Sequence, residues 1–228
     1  MKRLMHIFLS IVVFFNFPVV GMREPSSGWS FAQPKNVILL KTFLKENDIA
    51  SIETYINNFA SHSRDEQLYF IQYAIELSNM AAITLLIGNG SINQARLMNK
   101  GRMGASAIHH AAWNNNLDLI KYLIDSQEIP SNAATTAGVT PLYICATGNH
   151  LAAIEFLLAQ QQTDVNFHTK LDKYTALHIA IDNNNVKVVE KLIIDKRTNK
   201  NALTKNDETP FSLAAERGHL DIVKLLSN

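Results

Sequence analysis

Cys145 is the only cysteine of the 228-residue chain, and His150 follows it by five residues in TPLYICATGNHLAAIEFLL, Thr140 to Leu158. A thiol and an imidazole in one short segment raise nucleophilic chemistry, with the ring acting as base to the thiol. That chemistry needs an accessible thiolate beside positive charge. His109 and His110, taken with His150, raise a metal site, yet no carboxylate or further histidine falls at ligand spacing around them. One cysteine makes neither an internal disulfide nor a multi-thiolate zinc site. Gly88-Asn89-Gly90 and Gly101-Arg102-Met103-Gly104 are glycine-rich but lack the lysine of a phosphate loop, so they read as loops between helices. No cofactor and no metal are expected. The formal net charge is only +1, with 18% charged residues. No field of one sign is available to hold a phosphate backbone or anionic lipid, which argues against nucleic acid and membrane-surface partners.

The elements that carry these residues repeat. Thr140, Thr175 and Thr209 each follow a turn-like stretch and open an apolar-periodic run; they lie 35 and 34 residues apart, and Ser106 precedes Thr140 by 34. A self-similar period near 33 residues marks a solenoid of stacked units. The four openings read Ser106-Ala107-Ile108-His109-His110-Ala111, Thr140-Pro141-Leu142-Tyr143-Ile144-Cys145, Thr175-Ala176-Leu177-His178-Ile179-Ala180 and Thr209-Pro210-Phe211-Ser212-Leu213-Ala214. They resemble the Thr-Pro-Leu-His-x-Ala marker of ankyrin repeats, in which a Gly-His turn and a second apolar helix follow. NAATTAGVTP and NALTKNDETP resemble the loop that precedes the marker in that family. The resemblance implies an all-α repeat solenoid of helix-turn-helix pairs joined by β-hairpin loops, elongated and slightly curved. It implies protein binding and offers no enzyme mechanism.

Each column has a physical reason. Threonine caps the first helix, and proline suits its first position. Leu142, Leu177 and Phe211 sit one turn from Cys145, Ala180 and Ala214 on the same face. The second helices carry the apolar pairs Ile120/Leu123, Ile154/Leu157, Val189/Leu192 and Val223/Leu226 at i, i+3. Cys145 fills a column that is alanine in the other clear units, so it is expected to be a buried small hydrophobe. His109 and His178 occupy the marker's histidine column, where the resemblance implies a bond to loop backbone between adjacent repeats.

Two weaker units precede these. YFIQYAIELSNMAAITLLIGNG puts Ala74 in the small-residue column, and ILLKTFLKENDIASIETYINNF keeps only the helix-turn-helix rhythm. Six units are expected, near 38–66, 69–103, 106–137, 140–172, 175–206 and 209–228, within a repeat domain at 36–228. Residues 1–21 read as a signal peptide: Lys2 and Arg3, an apolar run from Leu4 to Val20, then a cut after Gly21, with Gly28 a weaker cut. An uncleaved signal anchor is the competing reading, although the run is shorter than a span and contains His6, Asn16 and Pro18. Residues 22–35 read as a flexible lead-in. A bacterial protein, periplasmic or secreted, monomeric and clear of the membrane once cleaved, is the expected setting.

The positions left to recognise a protein partner are those that vary between units. Trp113 lies two past the small-residue column, where Thr147, Asp182 and Glu216 stand in the later units. A tryptophan here is either a binding anchor or a packed cover over its neighbour. Asn114 and Arg217 adjoin this column, and the loops contribute Arg102, Met103, Val139, Leu171, Asp172, Tyr174, Lys205 and Glu208. Arg102, Met103, Trp113, Leu171 and Tyr174 are expected to form one mixed apolar surface, with Asp182, Glu216 and Arg217 adding charge.

Overall fold

A computed structural model describes residues 37–58, 70, 71, 73–88, 90, 91, 104–126 and 129–227. The expectations for residues 1–35, and those for Arg102 and Met103, lie outside the described residues. Ile38–Asn228 forms one compact unit. Its helices come in antiparallel pairs: α1 (Val37–Glu46) with α2 (Ile49–Asn57), α3 (residues 70, 71 and 73–76) with α4 (Met80–Gly88), and α5 (Ala107–Trp113) with α6 (Leu117–Asp125). The series continues with α7 (Pro141–Gly148) and α8 (Leu151–Ala159), α9 (Ala176–Asp182) and α10 (Val186–Ile194), and α11 (Pro210–Glu216) and α12 (Leu220–Ser227). From α5 onward each first helix packs on the next first helix, and each second helix on the next second helix. Sequence period has become spatial stacking, which is how short helices that cannot bury a face alone acquire a common core.

The threonine column begins the helices as expected. The Oγ1 atoms of Thr140, Thr175 and Thr209 accept from the backbone N–H groups of Tyr143, His178 and Ser212 at 3.3, 3.4 and 3.1 Å. What ends the first helices is equally regular. Ser78, Asn115, Asn149, Asn184 and Gly218 all have positive φ, between 52° and 72°. The next residue's N–H then bonds back to the small-residue column: Asn79 to Ala74, Asn116 to Ala111, His150 to Cys145, Asn185 to Ala180 and His219 to Ala214, at 2.8–3.0 Å. This six-to-one bond across a left-handed residue satisfies a carbonyl that the helix end leaves open. Asparagine and glycine recur here because they tolerate the left-handed region.

Burial follows the columns. Ile108, Leu142 and Leu177 are at most 2% exposed, and Ala111, Cys145, Ala180 and Ala214 are fully buried. Phe211 departs from the expectation for its column at 46% exposure, and Val223 and Leu226 are only half-buried where their equivalents are buried. They stand on α11 and α12, and no further helix pair packs on these among the described residues. The loops before the markers are hairpins held by a pair of backbone bonds each; no strand is present among the described residues. Thr135, Thr169 and Thr204 donate N–H to Val139, Tyr174 and Glu208, closing each loop at 2.9–3.0 Å. Neighbouring loops are joined by Lys170 N–H to the Ala137 carbonyl and Lys205 N–H to the Asp172 carbonyl, both 2.9 Å. At Gly138, φ 80°, a Cβ would lie 2.9 Å from the His168 carbonyl oxygen of the next loop, so a side chain there would force the two loops apart.

Candidate functional site

The groups able to do covalent chemistry are absorbed by the packing. Cys145 is fully buried, and that burial pushes its thiol up to about 12 by disfavouring the thiolate. His109 and His178 are fully buried as well. Nδ1 of His109 accepts from the Ser106 backbone N–H at 3.1 Å, which leaves the proton on Nε2, 3.2 Å from the Val139 carbonyl in the following loop. His178 repeats this with the Thr175 N–H at 3.2 Å and the Ala202 carbonyl at 3.1 Å. The histidine column thus ties each first helix to the next loop. His178 is held below its ordinary range by desolvation, partly offset by the carbonyl it donates to. His110 is half-buried in a column that is isoleucine or leucine in the next three pairs, and desolvation takes it down to about 4. Among the described residues no three His, Cys, Asp or Glu side chains gather as a metal site would require.

The variable positions separate by exposure. Asn114, Leu171, Lys205 and Glu216 are exposed, and Trp113, Val139, Thr147, Asp172, Glu208 and Arg217 are half-buried. Tyr174 and Asp182 differ from the surface role expected of them. Tyr174 is 6% exposed, its ring 5.6 Å from that of His178, because the hairpin stem folds it onto the first helix of its own unit. Asp182 is 7% exposed and pairs with Arg217 Nε at 2.6 Å, so the two charges neutralise one another instead of facing a partner. Thr147 turns its hydroxyl back to the Tyr143 carbonyl at 2.9 Å. The Glu208 carboxylate accepts from the Thr204 hydroxyl at 2.9 Å.

A family model described as Ankyrin repeats (3 copies) matches residues 39–134, 71–169, 129–204 and 160–228. The chain belongs to the ankyrin repeat family. Ankyrin repeats are protein–protein interaction modules, and domains built of them are typically non-enzymatic. In this ankyrin domain the first helices stand side by side and the loops are bonded in a row, so the exposed variable positions of successive units are neighbours along one molecule.

One set of contacts between units was not legible in the sequence. The asparagine after the left-handed turn reaches back one unit: Asn79 Nδ2 donates to the Leu44 carbonyl at 2.9 Å, Asn116 to Ser78 at 2.8 Å and Asn185 to Ala146 at 2.8 Å. His150, in the same column, bonds the Trp113 carbonyl. Two residues earlier, Asn114 donates to the Glu76 carbonyl at 2.9 Å and Asn183 to Thr147 at 3.3 Å, the position where Arg217 holds Asp182. Near the opposite ends of the second helices, Asn132 and Asn166 accept from the N–H groups of Asp164 and Asn199, both at 2.7 Å. The signal was present as asparagine recurring at unit spacing, but it reads equally as turn chemistry.

Proposed function

We propose that this chain is an exported, non-enzymatic ankyrin module that docks a protein partner through its concave groove and hairpin tips. The observation that carries the reading is the division of side chains. Among the described residues Cys145, His109 and His178 are buried within the stack, while the positions that differ from unit to unit supply the exposed loop and helix-end residues Asn114, Leu171, Lys205 and Glu216. Trp113, half-buried next to Asn114, is the aromatic anchor of the groove in this reading. The basic start, the apolar run from Leu4 to Val20 and the small residue Gly21 support export with removal of the leader. The same apolar run favours, as a second reading, a scaffold tethered by an uncleaved anchor.

Two experiments test this. A photo-crosslinking residue placed at Trp113 or Lys205 in cells should yield one discrete protein adduct, and one placed at Ile194 on a second helix should not. Equal adducts from both positions would overturn the assignment of the surface. The N-terminal mass of protein recovered from fractionated cells separates the two settings. A start at Met22 in a periplasmic or culture fraction supports export, whereas intact Met1 in the membrane fraction supports the tethered scaffold.

A further inference from the structure

We infer that the hairpin tip around Leu171 is an anchor for a protein segment carrying an apolar side chain flanked by carboxylates; this deepens the interaction reading above and rests on it. The hairpin from Thr169 to Thr175 has one residue more than those from Thr135 to Thr140 and Thr204 to Thr209. The backbone bonds to both neighbours are nevertheless kept, Lys170 to Ala137 and Lys205 to Asp172, each at 2.9 Å. The added length is therefore taken up at the tip, where Leu171 stands 64% exposed. Below it the stem is fixed: the Tyr174 N–H donates to Thr169 Oγ1 at 2.9 Å, and Tyr174 itself is buried against His178. An apolar knob on a stem already ordered loses little conformational freedom on docking.

The charge around the knob says what fits it. Lys170 precedes Leu171, Lys173 follows it beyond Asp172, and Lys205 stands on the adjoining loop; all three lysines are exposed. Asp207 is the exposed carboxylate of these two tips; Asp172 is half-buried, and Glu208 is half-buried with its carboxylate engaged by Thr204. Three ammonium groups and one carboxylate are exposed on these tips, so carboxylates on a partner meet ammonium groups while its apolar side chain covers Leu171. Such complementarity sets orientation and speeds encounter.

A displayed library of random peptides, selected on the full chain, provides the probe. The expected winners carry an apolar residue with Asp or Glu on either side. They should lose about tenfold or more in affinity on Leu171→Asn and on Lys170→Glu with Lys205→Glu, and keep it on Leu171→Met. The melting temperature checks that these exposed changes leave the fold intact. Winners that ignore Leu171 but respond to Trp113→Ala overturn this inference and leave the protein-binding reading standing. No enrichment over a blank surface counts against both. Binding to phosphatidylserine vesicles that depends on the same lysines, with no such peptide selected, would replace the protein segment by a membrane and overturn the inference.

Discussion

The thiol of Cys145 sits where alanine sits in the neighbouring units, and burial there disfavours the thiolate. A thiol reagent at pH 8 should therefore label the native chain only in step with its unfolding by urea; fast labelling without denaturant would contradict the packing. The histidines make a second prediction. His178 and His110 are both held below the unfolded value, so between that value and their native one the unfolded chain binds protons that the folded chain does not. Their contribution is complete above pH 6.5 and is lost as pH falls, for His110 down to about 4. Each such histidine adds a slope of about 1.4 kcal/mol per pH unit inside its window. Urea midpoints measured from pH 7.5 to 4.5 should fall, and His110→Ile, which matches Ile144 and Ile179 in its column, should flatten the decline. An unchanged slope would place His110 in water. Tyr174 and Asp182 show why single residues were the least legible part of the sequence. Their burial depends on a ring four residues away and a guanidinium 35 residues away, neither of which a column of variable residues announces.

The turn between the helices of a pair is where local and long-range structure meet. Asn116 caps α6, its Oδ1 accepting from the Leu119 N–H at 3.0 Å, and its amide group also reaches the Ser78 carbonyl of the preceding pair. Asn116→Ala removes both and should cost about 1–3 kcal/mol in a urea titration. His219 occupies the same column, but its Nε2 is buried without a hydrogen-bond partner. His219→Asn should therefore raise stability, by about 0.5–1.5 kcal/mol for one new bond of this kind. A loss of stability there would mean that the imidazole's packing matters more than its missing bond. The threonine caps, the small-residue column and the paired apolar residues of the second helices were all legible, because each has a local reason to exist and recurs at a fixed period. The back-reaching asparagines were not, since an asparagine at positive φ and one bridging two units leave the same mark in the chain.

Stacking makes the same residue type worth different amounts at different places in the molecule. Leu142 and Phe211 occupy one column, yet Leu142 lies between two neighbouring pairs at 1% exposure while Phe211 is 46% exposed on α11. In a quasi-one-dimensional array, stability is a sum of unit terms and nearest-neighbour interfaces, so a side chain contributes through the pair that covers it. Leu142→Ala leaves a cavity between pairs and should cost about 2–5 kcal/mol. Phe211→Ala, larger in volume removed, should cost about 1 kcal/mol or less, because much of its ring is already in water. Urea midpoints of the two variants beside the parent chain check the order. The comparison is sensitive to architecture rather than to hydrophobicity alone: a transfer scale ranks phenylalanine above leucine, and only directional stacking reverses that. Equal costs, or a larger one at Phe211, would mean that its face is covered in solution, and the stack would then have a neighbour beyond α11 and α12.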